Sequence, residues 1–306
     1  MRNTFARDIT KIAKKNKKII LLSGDIGNKL FDSFKSGNKN RFINCGVAEA
    51  NMTTVAAGLA HAGYQPITYT IASFNVFKTL EQIKLDICYH NLPVIIVGVG
   101  SGLGYSNLGT THHSIEDIGV LNPISNLSIV CPADQKELSV LLPQIIKSKK
   151  PTYLRIGKKN ENEIYSKRCK SKLGIPTLLQ KGKDICIFAT GNILDNILKV
   201  NKEIKKIDII PQIVNIHSIK PIDEKIINRL LKKFKKIIIV EEHVAAGGLG
   251  SILMNIASKH RTKNIFINHN AGNKFLIGSG DNLNAKKLTG LDPLSIKKSI
   301  IKLSKK

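Results

Sequence analysis

The sequence predicts an α/β protein of two domains, each a mostly parallel sheet flanked by helices. Its 306 residues are enough for two domains of ordinary size. Apolar runs of strand length, such as residues 18–23 and 93–99, are typical of strands buried on both faces of a parallel sheet. Segments with the apolar spacing of helices lie between these runs. Such alternation favours parallel sheets with helices on both faces.

Strand and helix patterns alternate regularly over the first predicted domain, residues 1–160. The predicted elements are a helix at 3–15, a strand at 18–23, a short helix, a strand ending at Cys45, a helix from about Ala48, a strand at 66–70, a helix at 74–90, a strand at 93–99, a glycine-rich loop at 98–113, a strand at 127–131, a helix at 134–146 and a strand at 152–156.

The pattern lapses after this domain, where KKNENEIYSKRCKSK is polar and charged, so residues 161–182 are predicted to be a linker. Alternation resumes in a second, smaller domain, residues 183–306. Its predicted elements are a strand at 185–189, a helix from about Asn192, a strand at 209–215, a helix at 224–231, a strand at 236–240, a helix opened by the glycines at 247–250, a strand at 264–268 and a helix at 293–303.

The charge and the cysteines limit the functions and the cellular compartment that the sequence is compatible with. A net charge of +26 raises the question of nucleic acid, but the lysines are spread along the whole chain. There is no RNP-like aromatic pattern and no zinc-finger spacing, so we predict no nucleic-acid binding; anionic substrates or an acidic partner subunit explain the charge as well. The 5 cysteines are scattered, without a CxxC pair, which suits the reducing cytoplasm. No apolar run approaches transmembrane length, and the N-terminus reads as a charged helix rather than a signal peptide.

The candidate site lies where the strands of the first domain end, because open α/β sheets bind ligands beyond those ends. The strand ends carry Asp25, Glu49, the segment 73–77 and the loop 98–113. Glu49 opens a helix, and a carboxylate there is favoured by the helix N-terminus for stability alone. Burial among its apolar neighbours would instead let it share a proton with a nitrogen base of a cofactor. The residues alone favour the stabilising role.

Aromatic and histidine side chains are further candidates at this edge. Phe74 and Phe77 share one face of a helix start, where they either pack in the core or sandwich a flat heterocycle. The glycines of the loop do not fit a dinucleotide fingerprint in register. His112 and Glu116 alone do not indicate a metal site. His112 is a candidate acid/base or hydroxyl-binding group, or a histidine that only hydrogen-bonds the loop.

A family resemblance rests on a set of motifs in a fixed order. The motifs are GDI at 24–26, CGVAEANM at 45–52, GLAHAG at 58–63, SFNVF at 73–77, EQI at 81–83, GTTHHSIED at 109–117, CPAD at 131–134, PTYLR at 151–155, HSIKPID at 217–223 and EEHVAAGGLG at 241–250. This combination resembles transketolase, and more closely the C-terminal subunit of a split, two-chain transketolase.

The resemblance implies a thiamine diphosphate site. Glu49 matches the glutamate that faces N1′ of the cofactor's aminopyrimidine, and Phe74 and Phe77 match aromatic residues that stack on that ring. Asp25 matches an aspartate near the cofactor at the subunit interface. The GDG motif that binds Mg²⁺ and diphosphate is absent at 24–26 and at 280–282. The resemblance therefore implies half an enzyme, inactive alone, whose N-terminal partner carries GDG and the Mg²⁺ ligands, in an α2β2 heterotetramer.

The resemblance also implies the substrate side of the site. His112 matches a histidine that binds substrate hydroxyls, and Lys158 falls near an arginine that holds a sugar phosphate, keeping its charge without its bidentate geometry. Gly100 and Leu108 stand where transketolases usually carry a His and an Asp. Loss of the His is expected to open space, and loss of the Asp to weaken ordinary pentose phosphate donors in favour of a deoxygenated or modified sugar. A small loop shift would instead let Asn107 replace the Asp.

The predicted activity is transfer of a two-carbon ketol unit from a ketose to an aldose, with phosphorylated or activated sugars. Two enzyme alternatives share the fold: a 1-deoxyxylulose-5-phosphate synthase-like activity and the β subunit of a 2-oxoacid dehydrogenase. A regulatory or interaction protein that kept the fold is the non-enzyme alternative. Intact Glu49, Phe74 and Phe77 argue against it.

Overall fold

The computed structural model describes residues 1–159, 161–165 and 169–305. They form two sheets with helices on both faces, which confirms the predicted α/β architecture. The strands are β1 (Ile19–Ser23), β2 (Phe42–Asn44), β3 (Gln65–Ile71), β4 (Ile95–Val99), β5 (Ser128–Val130), β6 (Thr152–Ile156), β7 (Thr177–Gln180), β8 (Ile185–Ala189), β9 (Gln212–Asn215), β10 (Ser218–Lys220), β11 (Lys236–Val240) and β12 (Ile265–His269).

Helices connect most of these strands. They are α1 (Arg2–Lys15), α2 (Asp32–Gly37), α3 (Glu49–His61), α4 (Ala72–Phe77), α5 (Leu80–Gln82), α6 (Asp117–Leu121), α7 (Gln135–Ser148), α8 (Leu194–Ile204), α9 (Glu224–Lys233), α10 (Leu249–Lys259), α11 (Asn282–Leu288) and α12 (Pro293–Ser304). Short 3-10 turns at Ser106–Leu108 and Thr110–His112 shape the glycine-rich loop.

The first sheet has seven strands in the order β10-β5-β6-β4-β3-β1-β2. Strands β1 to β6 run parallel, so their carboxyl ends meet at one edge. The second sheet has five strands in the order β12-β11-β8-β9-β7, parallel except for β7. Strand β10 comes from the second half of the chain but pairs antiparallel with β5, which ties the two halves together.

Both faces of the central strands are buried, which explains their continuous apolar runs. Within β1, Ile19 and Leu21 point into a core that includes residues of α1 and α7. Ile20 and Leu22 point into a second core that also contains residues of the second sheet. A third core covers the other face of the second sheet with α8 and α12. The sheet edge that carries the candidate site therefore sits on a rigid, fully packed layer.

The predicted helix at 74–90 is wrong as one continuous element. Helix α4 ends at Phe77, α5 restarts at Leu80, and Ile83–Cys88 forms a π-helical turn. The hydroxyl of buried Thr79 donates to the carbonyl of Asn75 at 2.8 Å, a contact that competes with regular helical bonding. The break occurs directly after the SFNVF motif.

The segment predicted as a linker contains a strand, which corrects that part of the prediction. Strand β7 lies within 161–182 and pairs antiparallel with β9. It is a four-residue, partly exposed edge strand, so it lacks the long apolar run that marks the buried strands. Helix α11 was likewise not predicted; its first turn is capped by the side chain of Asp281. Among the described residues, no helix is long and apolar enough to cross a membrane.

Candidate active site

The candidate residues of the first domain gather at the carboxyl edge of the first sheet. Asp25 follows β1, Glu49 opens the helix after β2, and Phe74 lies in the helix after β3. His112 belongs to the loop after β4, and Lys158 follows β6. Because β1, β2, β3, β4 and β6 are parallel, all five positions lie at the same end of the sheet; the sequence predicts this for all of them except Lys158.

Glu49 is the buried carboxylate of this edge. Its residue is only 3% exposed, and its side chain passes close to Gly24. The carboxylate is nevertheless reached by the ammonium of Lys78, which lies 3.1 Å from Glu49 Oε2 and is half exposed. The carboxylate is thus buried, but one oxygen meets a half-exposed lysine at the carboxyl edge of the sheet, the candidate cleft.

Phe74 and Lys78 continue the cleft from Glu49. The same Lys78 ammonium lies 4.8 Å from the centroid of the Phe74 ring. The edge of that ring meets the ring of His112, with centroids 5.0 Å apart and planes at 65°. Phe77, one helical turn from Phe74, is 44% exposed. Phe74 therefore packs against the core of the first domain, whereas Phe77 is the more exposed of the two residues.

His112 lies in the middle of the cleft. Its Nδ1 is 2.9 Å from the Thr111 hydroxyl, and its ring is 6.1 Å from that of Tyr105. Burial and the nearby Lys158 ammonium lower the pKa of His112 below its usual value. The imidazole is therefore neutral at pH 7, with one nitrogen able to donate and the other able to accept a hydrogen bond.

Lys158 completes the row on the far side of His112. Its ammonium lies 4.2 Å from the centroid of the Tyr105 ring. Burial and the positive charges of Lys159 and Arg2 lower the pKa of Lys158. The side chains thus follow one another across the cleft, each in contact with the next, in the order Glu49, Lys78, Phe74, His112, Tyr105 and Lys158.

Gly100 does not leave the open space that its position suggested. A Cβ atom added there would overlap the ring of Tyr105, which is 8% exposed and fills this place. Gly100 also has a φ of +79°, which favours glycine. The expectation of extra room is therefore wrong, because an aromatic ring from five residues further along the chain occupies it.

Asp25 and Leu108 stand apart from this row. Asp25, with a φ of 56°, is exposed and accepts a hydrogen bond from the Asn44 side chain at 2.9 Å. It lies at the ends of β1 and β2, on the outer corner of the edge. Leu108 is 47% exposed in the turn Ser106–Leu108. Both side chains are open to a ligand or a partner rather than packed against Glu49 or His112.

The second domain holds the loop that carries His112. Asn282 donates to the carbonyl of Leu103 at 2.8 Å, and Ser279 donates to the carbonyl of Ser106 at 3.1 Å. Glu242, which is paired with Lys286 at 2.9 Å, accepts the N–H of Leu103 at 3.4 Å. The position of the loop is therefore set by both domains.

Lys78 and Tyr105 were not predicted from the sequence. Each is recognisable only from its contacts, since Lys78 follows the SFNVF motif without belonging to it and Tyr105 lies within a glycine-rich stretch. The ring of Tyr105 takes its place because position 100 is a glycine. In the sequence, the signal that could have pointed to Lys78 and Tyr105 is their position next to the recognised motifs.

Glu49 and Phe74 are linked through the ammonium of Lys78. Glu49 Oε2 and the face of Phe74 are directed at one common point, which the Lys78 ammonium contacts in this structure. A ring at that point would meet a carboxylate at its edge and an aromatic ring at its face. Among residues 1–159, 161–165 and 169–305, no group of three or more His, Cys, Asp or Glu is placed to hold a metal ion.

Fold and site together define an α/β chain with a buried carboxylate and an aromatic ring at the carboxyl edge of a parallel sheet. Residues 1–163 match the family model of the transketolase pyrimidine binding domain, and residues 176–296 match that of the transketolase C-terminal domain. The chain belongs to the transketolase family.

Known proteins of similar sequence and structure support this assignment. One of the subunits of the apulose-4-phosphate transketolase of Phocaeicola vulgatus is 31% identical over 261 residues, 85% of this chain and 84% of that protein. The 6-deoxy-6-sulfo-D-fructose transketolase subunit of Clostridium sp. strain MSTE9 is 32% identical over 252 residues, 82% of this chain and 78% of that protein. A solved split gene transketolase, described as an inactive beta4 tetramer, superposes with a TM-score of 0.88 at 26% identity, covering 99% of this chain and 97% of that one. The predicted likeness to the C-terminal subunit of a split transketolase is confirmed.

Proposed function

We propose that this chain is the C-terminal subunit of a two-chain, thiamine diphosphate-dependent transketolase. It would move a two-carbon ketol unit from a ketose to an aldose in the cytoplasm. The observation that carries the proposal is the convergence of the buried Glu49 carboxylate and the Phe74 ring on one point of the cleft. Membership of the transketolase family supports the same cofactor.

Glu49, Phe74 and Phe77 would hold the aminopyrimidine of the cofactor. When bound, thiamine diphosphate supplies the carbon nucleophile for breaking and forming the sugar C–C bond. Glu49 would share a proton with N1′, because its carboxylate is buried and faces the cleft. Phe74 would support one face of the ring, and the exposed Phe77 would contact its rim. Asp25, at the outer corner, would lie near the cofactor where the two chains meet.

His112 and Lys158 would bind the sugar. A neutral His112 can donate to one hydroxyl and accept from another, and its lowered pKa keeps it neutral at pH 7. Lys158 would attract an anionic group at the far end of the sugar. Two relatives are named for the anionic sugars apulose 4-phosphate and 6-deoxy-6-sulfo-D-fructose, which agrees with such a group.

The diphosphate and its Mg²⁺ would be held by an N-terminal partner subunit that carries the GDG motif. Exposed apolar side chains flank the cleft, with Val47 at 75% and Phe77 at 44% exposure. These two side chains would offer the partner a surface beside the cofactor. Two copies of each chain would give an α2β2 assembly, in keeping with relatives named as subunits.

The test is reconstitution with a partner chain, thiamine diphosphate and Mg²⁺. The proposal expects transfer of a ketol unit from a ketose phosphate to an aldose phosphate, detected by mass spectrometry of the products. Turnover of pyruvate instead of a ketose would favour the 1-deoxyxylulose-5-phosphate synthase-like or 2-oxoacid dehydrogenase alternative. Failure of every donor, with the complex formed and the cofactor bound, would favour a regulatory role.

A further inference from the structure

Tyr105 connects three groups of the cleft that the proposed function uses separately. Its ring is 8% exposed and belongs to the core of the first domain. One neighbour of the ring is Lys158, whose ammonium lies 4.2 Å from the ring centroid, and another is His112, with ring centroids 6.1 Å apart. The third is Gly100, where a Cβ atom would overlap the ring.

The chain around Tyr105 fixes the ring in this place. The backbone N–H groups of Gly100 and Ser101 both donate to the carbonyl of Ile156, at 2.9 and 3.1 Å. Gly100 is thereby tied to the end of β6, two residues before Lys158. The ring of Tyr105 lies against this junction because position 100 has no side chain. The aromatic ring and the lysine backbone are thus parts of one rigid corner.

Lys158 gains a defined position from this arrangement. A lysine has a long, flexible side chain, and holding its ammonium at one point costs conformational entropy. The electron-rich face of an aromatic ring attracts an ammonium without neutralising its charge. A carboxylate in the same place would neutralise it. Tyr105 therefore holds the Lys158 ammonium on the side of the cleft where its charge lowers the pKa of His112.

We propose that Tyr105 is a positioning residue that makes the site select sugars with a terminal anionic group. It acts through Lys158, by holding the ammonium at a set distance from the hydroxyl-binding His112. The inference rests on the proposed function for the identity of the sugar. It concerns the preference for phosphate and leaves the transfer step itself to other residues.

The experiment measures phosphate preference by binding, so that it does not depend on turnover. The complex of this chain with its partner, thiamine diphosphate and Mg²⁺ is titrated by calorimetry with D-ribose 5-phosphate and with D-ribose. The affinity ratio of the two sugars is compared for the unaltered chain, Tyr105→Phe and Tyr105→Leu. Phe keeps the aromatic face and Leu removes it, while both fill the space beside Gly100.

Tyr105→Phe is expected to keep the phosphate preference, and Tyr105→Leu to lower it roughly 3- to 20-fold, with D-ribose affinity unchanged. Lys158→Met should also lower the phosphate preference. Adding Tyr105→Leu to Lys158→Met should not lower the preference further, because both substitutions remove the same contact. Equal loss of affinity for both sugars, or independent losses in the double variant, would overturn the proposal.

Gly100→Ala tests the same corner without a substitution at Tyr105. The added methyl group would push the Tyr105 ring out of its place. It should lower the phosphate preference as Tyr105→Leu does. Gly63→Ala is the control for backbone strain: Gly63 has a φ of +87° with open space around it. It should leave the preference unchanged. An unaltered Gly100→Ala ratio would count against the proposal. Absence of ketose turnover in the unaltered complex would refute the proposed function. The binding ratios would still test the role of Tyr105, because they do not depend on turnover.

Discussion

The ammonium of Lys78 lies 3.1 Å from Glu49 Oε2 and 4.8 Å from the centre of the Phe74 ring. A cofactor pyrimidine would need the same carboxylate for its N1′ nitrogen and the same ring face for stacking. Lys78 therefore occupies the point that the pyrimidine would take, and cofactor binding would move it aside. Its half-exposed side chain has solvent to move into.

Lys78→Met is accordingly expected to bind thiamine diphosphate more tightly in the reconstituted complex. The Lys78 ammonium is half exposed, so giving up its ion pair with the buried Glu49 should cost on the order of 1 kcal/mol, and the gain should be about fivefold. Calorimetric titration of the complex measures it. Lys84→Met, which changes an exposed lysine of the neighbouring π-helical turn, is the matched control and should change nothing. Weaker binding by Lys78→Met would mean that Lys78 helps to hold the cofactor.

The chain without its partner is expected to bind thiamine diphosphate poorly and to show no transketolase activity. The diphosphate and its Mg²⁺ carry most of the cofactor's charge, and their ligands are proposed to lie on the other subunit. Affinity should be at least about tenfold weaker than in the complex, a difference of about 1.4 kcal/mol. Calorimetry with and without the partner measures this difference. Tight binding by the chain alone would contradict the two-chain site.

The charge of Lys158 is expected to control the titration of His112. Burial and Lys158 both hold the pKa of His112 below its usual value, so protonation occurs only at pH values below the usual range. Lys158→Met removes one cause, and the pKa of His112 should rise. The acidic limb of the pH–rate profile should move to higher pH with it. NMR titration of the imidazole measures the shift, with exposed Lys150→Met as control. A lower or unchanged pKa of His112 in Lys158→Met would contradict the electrostatic effect of Lys158 on His112.

Substrate choice is expected to depend on Leu108. A donor-sugar hydroxyl that meets Leu instead of a carboxylate is left unpaired, at a cost of roughly 1–3 kcal/mol. Xylulose 5-phosphate should therefore be a weak donor, a deoxygenated or modified sugar a better one, and Leu108→Asp should improve xylulose 5-phosphate. If Asn107 takes the place of the Asp, Asn107→Ala should lower activity instead. Steady-state kinetics decide: kcat/KM on the order of 10⁵ M⁻¹s⁻¹ or more with xylulose 5-phosphate would contradict the role of Leu108.

The parts of the fold that follow from local pattern were predictable. The buried strands, and the positions of Glu49, Phe74, His112 and Lys158 at their ends, follow from apolar runs and from the geometry of parallel sheets. Strands β7 and β10 were missed because short strands at sheet edges have no long apolar run.

The contacts inside the site depend on tertiary structure. The helix break at Thr79 leaves no mark in the apolar spacing of the sequence. Tyr105 fills the space at Gly100 only because the loop between them folds back on itself. The glycine at position 100, considered alone, therefore suggested an open space, whereas the structure has the ring of Tyr105 there.

Turnover of Glu49→Gln in the reconstituted complex tests the central claim most directly. Gln has nearly the same shape but cannot exchange a proton with N1′, so kcat should fall at least about 100-fold while the melting temperature of the complex stays close to the original. Glu203→Gln, a change of an exposed glutamate in α8, is the control and should keep full activity. If Glu49 served only as a carboxylate at the start of α3, the change would cost at most about 1 kcal/mol of stability and little rate. A Glu49→Gln complex with near-normal kcat would contradict the account.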